Sequence, residues 1–351
     1  MRYSIILAGG KGTRMKSKED ISKMVFPILG KSLLEYVLDT VDALKVDQKI
    51  VVVGFDGEST SKLVGGRAEI VWQKDITGTA RAVNECADLL KDKEGDTIIL
   101  FGDTPLLTEE TLNNLFKKHE KYGNDVTLLT AYLEKPDGYA RIIRNHKSQS
   151  IDAVIDDKDL EDKDRLVAEV ATGVYVFNNK KLFDMMNHMF TKSKAEFNLT
   201  AVVTELIKKG AKVDSYVTVE QEETFSIADR AHLSYAAKII RKKINKKWMN
   251  EGVSIEDPDR TYISPDVVIG TDTVILPNTY LLGKCVIGED NMIGPNAVIG
   301  DTKIGNGSIV RESNIRNATL GNKVVVEPYA VIEDIEIKDN ERVLAHTIKR
   351  K

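Results

Sequence analysis

The sequence predicts a doubly wound, Rossmann-like α/β domain followed by a short left-handed parallel β-helix, and three observations carry that prediction. Up to about residue 230, short apolar runs alternate with longer amphipathic stretches, the pattern of a mostly parallel sheet covered by helices on both faces. Beyond Pro258 an aliphatic residue recurs every six positions, at Ile269, Ile275, Leu281, Ile287, Ile293 and Ile299, often with glycine next. Such a repeat folds as triangular coils of three short strands, with the repeated aliphatics stacked inside. Between the two patterns, residues 231–250 are charged and periodic enough to form one connecting helix. The expected boundaries are therefore 1–230, 231–250 and 251–351.

The strands of the first domain are expected at Ser4 to Leu7, Lys49 to Val53, Thr97 to Phe101 and Asp125 to Ala131. Leu33 to Leu38 and Ala80 to Ala87 carry helical periodicity, and Asp103 to Thr108 reads as a turn and helix start after a strand. Ligands of such a sheet bind outside the C-terminal strand ends, where loops 8–15 and 102–106 would converge. In the second domain the six-residue register slips after Ile299 and resumes at Ile304, Leu320, Val326 and Ile332, which gives about four coils.

Composition narrows the function classes. With 42% hydrophobic and 30% charged residues the chain can bury a sizeable core, and a formal charge of −4 gives no net attraction to nucleic acid or an anionic membrane. The basic stretches Arg241–Lys243 and Lys349–Lys351 read as solvated surface. Cys86 and Cys285 are the only cysteines and have no metal-like spacing, so neither a disulfide framework nor a zinc site is indicated. The N-terminal apolar run is too short for a signal peptide, and no later segment is long enough to span a bilayer. A cytoplasmic protein with neither a membrane nor a nucleic-acid partner is expected.

The chemistry begins at the first strand end, Leu7-Ala-Gly-Gly-Lys-Gly-Thr-Arg-Met15. Glycines there let backbone N–H groups approach a polyphosphate without interference from Cβ atoms, and Arg14 adds a planar fork for phosphate oxygens. The loop is not the dinucleotide fingerprint, because Met15 stands where the third glycine belongs. Nor is Gly30-Lys-Ser32 a P-loop, since Val25 occupies the required glycine position. Alone, a glycine-rich turn is as often structural as phosphate-binding.

Its neighbours decide the matter. The loop, with Lys23, Pro27 and Gly30-Lys31, resembles the signature of the sugar-phosphate nucleotidylyltransferase family. Gln73 with Gly78-Thr79, Phe101-Gly-Asp-Thr-Pro-Leu106, Gly138-Tyr-Ala-Arg-Ile142 and Thr172-Gly-Val174 follow in the order of its uridylyltransferase branch, which makes UDP-N-acetylglucosamine from UTP and N-acetylglucosamine 1-phosphate. The resemblance spans most of residues 2 to 235. It implies that the nucleotide is held by Leu7, Ala8, Gly9, Gly10, Gly12 and Thr13 of the loop, by Gln73, Gly78 and Thr79 at the base, and by Gly102. Gln73 can both donate to and accept from a pyrimidine edge. An anionic sugar phosphate must attack the α-phosphorus of an anionic triphosphate, so the task is alignment and charge neutralisation. The catalytic pair implied is Lys23 near the attacking and α-phosphates and Arg14 near the β and γ groups. Asp103 is the implied ligand of a Mg²⁺ cofactor. The plainer readings are a helix N-cap for Asp103 and a surface lysine for Lys23.

At the sugar end the implied residues are Tyr139, Ala140, Asp156, Glu169, Ala171 and Thr200, and several depart from the pattern. Ala140 replaces a glycine, Asp156 a glutamate, and Ala171 an asparagine before Thr172-Gly173. In Glu196-Phe-Asn-Leu-Thr200, Asn198 stands at a family tyrosine. The asparagine that completes the family's metal site aligns with Ala228, so Asp229 or water is expected to serve there. A site stripped of polar partners discriminates less, so a different sugar 1-phosphate is an open alternative. Bifunctional members carry acetyl-CoA-dependent acetyl transfer on a longer β-helix. Here about four coils and a basic tail lead to the expectation of no acetyltransferase and of a homotrimer assembled through the β-helix. A non-catalytic scaffold resembling the catalytic-type subunits of initiation factor 2B is the rival, opposed by the joint presence of Gly12, Arg14, Lys23 and Asp103.

Overall fold

The computed structural model describes residues 1–17, 21–74, 78–192 and 197–351, with Lys192 described by its backbone alone. Seven strands form the path of the main sheet, in the order Val213–Val217, Val126–Tyr132, Glu169–Asn178, Asp96–Phe101, Arg2–Ala8, Gln48–Val53, Glu69–Trp72. All neighbours on this path are parallel except Glu169–Asn178, which runs antiparallel to both of its partners. A hairpin of Ala140–Arg144 and Ile151–Ile155 branches from that strand.

The apolar runs of the central strands follow from burial on both faces. Tyr3, Ile5, Leu7, Ile50, Val52 and Ile99 pack into one core layer, whereas Ile6, Ala8, Val51, Val53, Ile98 and Leu100 pack into the other. Since side chains alternate along a strand, a sheet clad on both sides favours apolar residues at nearly every position, with only small polar residues such as Ser4 and Thr97 buried among them. The helix Leu33–Ala43 starts at a capping box, Ser32 accepting from the Glu35 N–H while the Glu35 carboxylate accepts from the Ser32 N–H.

One expectation holds and one is corrected. The stretch from Asp103 to Thr108 is the expected turn and helix start: Thr108 caps the helix Glu109–Tyr122, its hydroxyl accepting from the Thr111 N–H. The periodicity of residues 80 to 87 is split into Thr79–Asn84 and Ala87–Leu90. Cys86 sits between them in the bridge region, at φ −88° and ψ 0°, so the backbone turns there.

The chain divides into two compact units, Met1–Phe26 with Ser32–His232, and Pro27–Lys31 with Leu233–Lys351. Pro27–Lys31 thus groups with the second unit, where Lys31 pairs with Asp266 at 3.1 Å. The helix Arg230–Asn250 precedes the solenoid.

The second unit is a left-handed β-helix whose strands stack in three parallel sheets of six, six and five. Nearly six coils are therefore present rather than about four. The miscount has a physical source: a side of the triangle closes with five residues as well as six. Ile299 to Ile304, Val310 to Ile315, Ile315 to Leu320 and Ile332 to Ile337 are five-residue steps, yet all seven residues are buried inside. Coils also extend beyond the visible repeat, to the strand Ser254–Ile255 at one end and Ile348–Arg350 at the other. The glycine after several inward aliphatics, at Gly270, Gly288, Gly305 and Gly321, is explained by close approach between coils. At Gly305 a Cβ would lie 2.8 Å from the carbonyl carbon and oxygen of Gly321 and 2.7 Å from the Asn322 side chain.

Among the described residues no helix is long and apolar enough to cross a membrane. Both cysteines are buried and unbridged, and burial pushes the Cys86 thiol up to about 12, which suits a packing residue rather than a nucleophile.

Candidate active site

A cavity of about 420 Å³ opens at the C-terminal ends of the first unit's parallel strands. Its wall gathers Leu7, Gly9, Gly10, Arg14, Lys23, Gln73, Gly78, Thr79 and Asp103 from the expected set. Their contact follows from local geometry. Gly9 leaves room for the Gln73 side chain, whose Oε1 would lie 2.6 Å from a Cβ at that position, and the Gln73 N–H is fixed to the Val53 carbonyl at 2.8 Å. Lys23 begins a 3₁₀ turn, Lys23–Val25, capped by Ser22, and the Ser22 N–H donates to Asp56 Oδ2 at 3.0 Å.

Asp103, 5% exposed, is the electrostatic centre. Its Oδ2 pairs with the Lys23 ammonium and accepts from Ser226 Oγ at 3.1 Å, while Oδ1 is buried without a hydrogen-bond partner. A buried carboxylate oxygen left open beside a cavity fits a cation ligand, because desolvation without a partner is otherwise costly. Among the described residues no group of three or more His, Cys, Asp or Glu could hold a metal ion. A divalent cation at Asp103 would thus draw its other ligands from phosphate and water oxygens, which suits Mg²⁺.

Several expected residues lie elsewhere. Ala8 is fully buried on the opposite face of the sheet, as period-2 alternation after Leu7 dictates. Gly102 belongs to that same layer, since a Cβ there would meet Met24 Sδ at 2.9 Å. Gly12 has φ +60°, and a Cβ on it would stand 2.8 Å from Lys23 Cβ, so its part is to let the lysine stem pass rather than to line the cavity. Thr13 opens the 3₁₀ turn Thr13–Met15 and is exposed.

The sugar-end set is also redistributed. Glu169 is 3% exposed and saturated: Arg144 donates to both its oxygens at 2.6 and 2.7 Å, and Thr130 Oγ1 donates to Oε1 at 3.0 Å. It lies on a different cavity, beside Tyr132, so it has no acceptor left for a sugar in the first one. The bidentate contact raises the Arg144 guanidinium's affinity for its proton. Ala171 packs in the core and Ala140 against it, Thr200 sits in the helix Leu199–Lys208 off the wall, and the Tyr139 hydroxyl donates to the Thr224 carbonyl at 3.3 Å. Burial pushes the Tyr139 phenol upward, so it stays protonated.

Asp156 stands behind the wall, accepting from Asn198. Asp229 is not on the wall either: its Oδ1 accepts from the His232 N–H at 2.8 Å, so it caps the start of the helix Arg230–Asn250 in place of the expected metal ligation. Those N–H donors hold its carboxyl below the usual range. Glu196 lies outside the described residues.

The structure adds Met24, Ala82, Phe101, Thr172, Asn198 and Ser226 to the wall. Thr172 arrives through a break in the strand register between Ala171 and Tyr175, where Gly173 at φ +87° faces the Phe101 ring. The Thr172-Gly173 pair was the available signal; for Ser226, the small polar residue two before Ala228, the sequence held none.

Residues 4–172 match the family model of the MobA-like NTP transferase domain, and residues 284–314 match that of the bacterial transferase hexapeptide, six repeats. The chain is 40% identical over 341 residues to the bifunctional protein GlmU of Geobacillus sp. (strain WCH70), covering 97% of this chain and 74% of that one. Its likeness to the bifunctional protein GlmU of Halalkalibacterium halodurans is 38% over 344 residues, 97% of this chain and 75% of the other. For the Enterococcus faecalis protein of the same name the figures are 40% over 330 residues, 94% and 71%.

Proposed function

We propose, from the premise that this chain belongs to the GlmU family, that it transfers a uridylyl group from UTP to a sugar 1-phosphate, with N-acetylglucosamine 1-phosphate as the preferred acceptor. Its first unit is a nucleotidyltransferase domain. The observation that carries the finer reading is the convergence of Arg14, Lys23, Gln73, Gly78, Thr79 and Asp103 on one cavity.

In this reading an oxygen of the sugar phosphate forms a bond to the α-phosphorus of UTP. The bond from that phosphorus to the bridging oxygen breaks, and the electron pair leaves with pyrophosphate. No protein base is required, since a phosphate monoester with its second pKa near ~6 is already ionised at neutral pH. Lys23 provides a mobile ammonium at the α-phosphate, released from Asp103 as the substrate charge arrives. Arg14 offers its fork to the outer phosphates, and the Gly9-Gly10 backbone lets them approach. Gln73 presents a donor and an acceptor to the uracil edge. A divalent cation, Mg²⁺ in this reading, held by Asp103 would neutralise phosphate charge when bound.

The test is pyrophosphate release from UTP, CTP and dTTP against a panel of sugar 1-phosphates. The expected result is turnover with UTP and N-acetylglucosamine 1-phosphate first; absence of release with every pair would overturn the reading. For assembly we propose a homotrimer through the β-helix, expected by light scattering as a mass of three chains.

A further inference from the structure

Asp103 shares one carboxylate oxygen between two donors and leaves the other open. Its Oδ2 pairs with the Lys23 ammonium and accepts from Ser226 Oγ at 3.1 Å, and among the described residues it takes no third hydrogen bond. Oδ1 is buried without a partner. The two donors on Oδ2 differ in mobility. Lys23 reaches it on a flexible four-carbon stem, and a phosphate group competes with Asp103 for the ammonium. Ser226 reaches it on a single methylene, from backbone already tied to Asp103: the Ile227 N–H donates to the Asp103 carbonyl at 2.9 Å. His232 steadies the same segment, its Nδ1 lying 3.2 Å from the Ser226 carbonyl oxygen and its ring 4.7 Å from that of Phe225.

An ionised carboxylate can only accept, so the Ser226 hydroxyl hydrogen points at Oδ2. Once Lys23 turns to a substrate phosphate, Ser226 is the one hydrogen bond left on that oxygen among the described residues. The terminal torsion of an aspartate has a broad, shallow preference, so a carboxylate without a fixed donor turns readily. The Ser226 contact removes that freedom and keeps Oδ1 aimed where it stands. Of residues 226 to 229 only Ser226 lies on the cavity wall; Ala228 carries no polar side-chain atom, and Asp229 is committed to the helix start.

We infer that Ser226 is a positioning residue that holds the Asp103 carboxylate when Lys23 leaves it for the substrate, so that Oδ1 stays presented to a divalent cation. The inference rests on the reading of the cavity as a site for UTP and such a cation. It has a signature that packing alone lacks. Losing the hydroxyl weakens UTP binding only where the cation takes part in it.

The experiment is calorimetric titration of the full-length protein with UTP, without any sugar phosphate, once with Mg²⁺ and once with a chelator. Thermal unfolding of each variant is followed alongside. In wild type Mg²⁺ is expected to tighten UTP binding. In Ser226→Ala that gain is expected to shrink about tenfold, as for one lost hydrogen bond to a charged group, while the affinity with chelator stays within about twofold. Ser226→Thr keeps a hydroxyl at the same carbon and is expected to recover the gain. Ser226→Ala with the full wild-type gain overturns the inference. So does an equal loss of affinity with Mg²⁺ and with chelator, which marks the serine as a nucleotide contact or a packing residue. A folded Ser226→Thr protein no better than Ser226→Ala overturns it too. Wild-type protein whose UTP affinity ignores Mg²⁺ overturns the cation reading of Asp103 together with this inference, whereas a responsive wild type matched by Ser226→Ala overturns this inference alone.

Discussion

In the solenoid the side-chain oxygens of Asn306, Asn322 and Asp339 each accept from a backbone N–H one coil back, at Glu289, Asn306 and Asn322, at 2.8 to 2.9 Å. Those three side chains are exposed, whereas in the α/β unit the carboxylate of Asp103 is buried and one of its oxygens has no partner. The residue types are similar; their use is opposite. Where a short polar side chain closes onto backbone it stabilises the repeat, and where it is left open beside a cavity it is kept for a ligand. The difference teaches that the second unit's polar ladder closes onto its own backbone, while the first unit's carboxylate keeps an oxygen open, which in the proposed reading serves the chemistry.

The sharpest way to break this comparison is Asp103→Asn. It removes the charge that faces both Lys23 and a bound cation, and kcat/KM for uridylyl transfer is expected to fall on the order of a thousandfold. The melting temperature should stay level or rise, because a buried oxygen without a partner is relieved of its charge. Removing divalent ions with a chelator should lower wild-type activity as strongly and leave the variant's residual rate unmoved. A variant with unimpaired kcat/KM would place the chemistry elsewhere.

The mirror experiment is Ile299→Ala, at a fully buried position in the solenoid stack. It should lower the unfolding free energy by roughly 2–5 kcal/mol in denaturant titration, through lost burial and a residual cavity. Activity per folded molecule is expected to be unchanged. A matching loss of kcat would mean that the solenoid contributes to the reaction itself.

A third variant, Gly12→Ala, separates lining from support in the loop. It strains a φ of +60° and drives a methyl against Lys23 Cβ, so kcat should fall by roughly tenfold to a hundredfold while KM for UTP changes less. If Gly12 instead touches the nucleotide directly, KM moves first.

The sequence was most legible where the controlling interactions are local or periodic. The central strands and the inward aliphatics follow from alternation and from a six-residue period, and the loop at Leu7 to Met15 from its glycines. The coil count was not legible, because five-residue sides such as Ile299 to Ile304 break the period while keeping the stack. The sugar end was least legible for a different reason. Whether Glu169 is open or saturated depends on Arg144, 25 positions away, and the place of Asp156 depends on Asn198, 42 positions away. Contacts at such separations leave no periodic trace. A resemblance to a family carries roles over by position, and at Ala171, Asn198 and Ala228 this chain has changed the side chains on which those roles depend.

Asp229 offers the smallest effect and the finest test of the boundary between folding and chemistry. Its carboxyl accepts from the His232 N–H at the start of a helix, and this contact favours the ionised form and holds its pKa down. A group depressed on folding contributes stability that is present above its unfolded value, near ~3.9, and is lost as pH falls through the lower folded value. Asp229→Ala should therefore lower the melting temperature slightly at neutral pH, and the deficit relative to wild type should close below about pH 4. Titrating activity with Mg²⁺ at neutral pH should give the same midpoint in both proteins, because the cap is occupied by backbone and is absent from the cavity wall. A midpoint raised tenfold with an unaltered melting temperature would return Asp229 to the metal site, and with it the Ala228 substitution would become a one-residue shift of ligand rather than a loss.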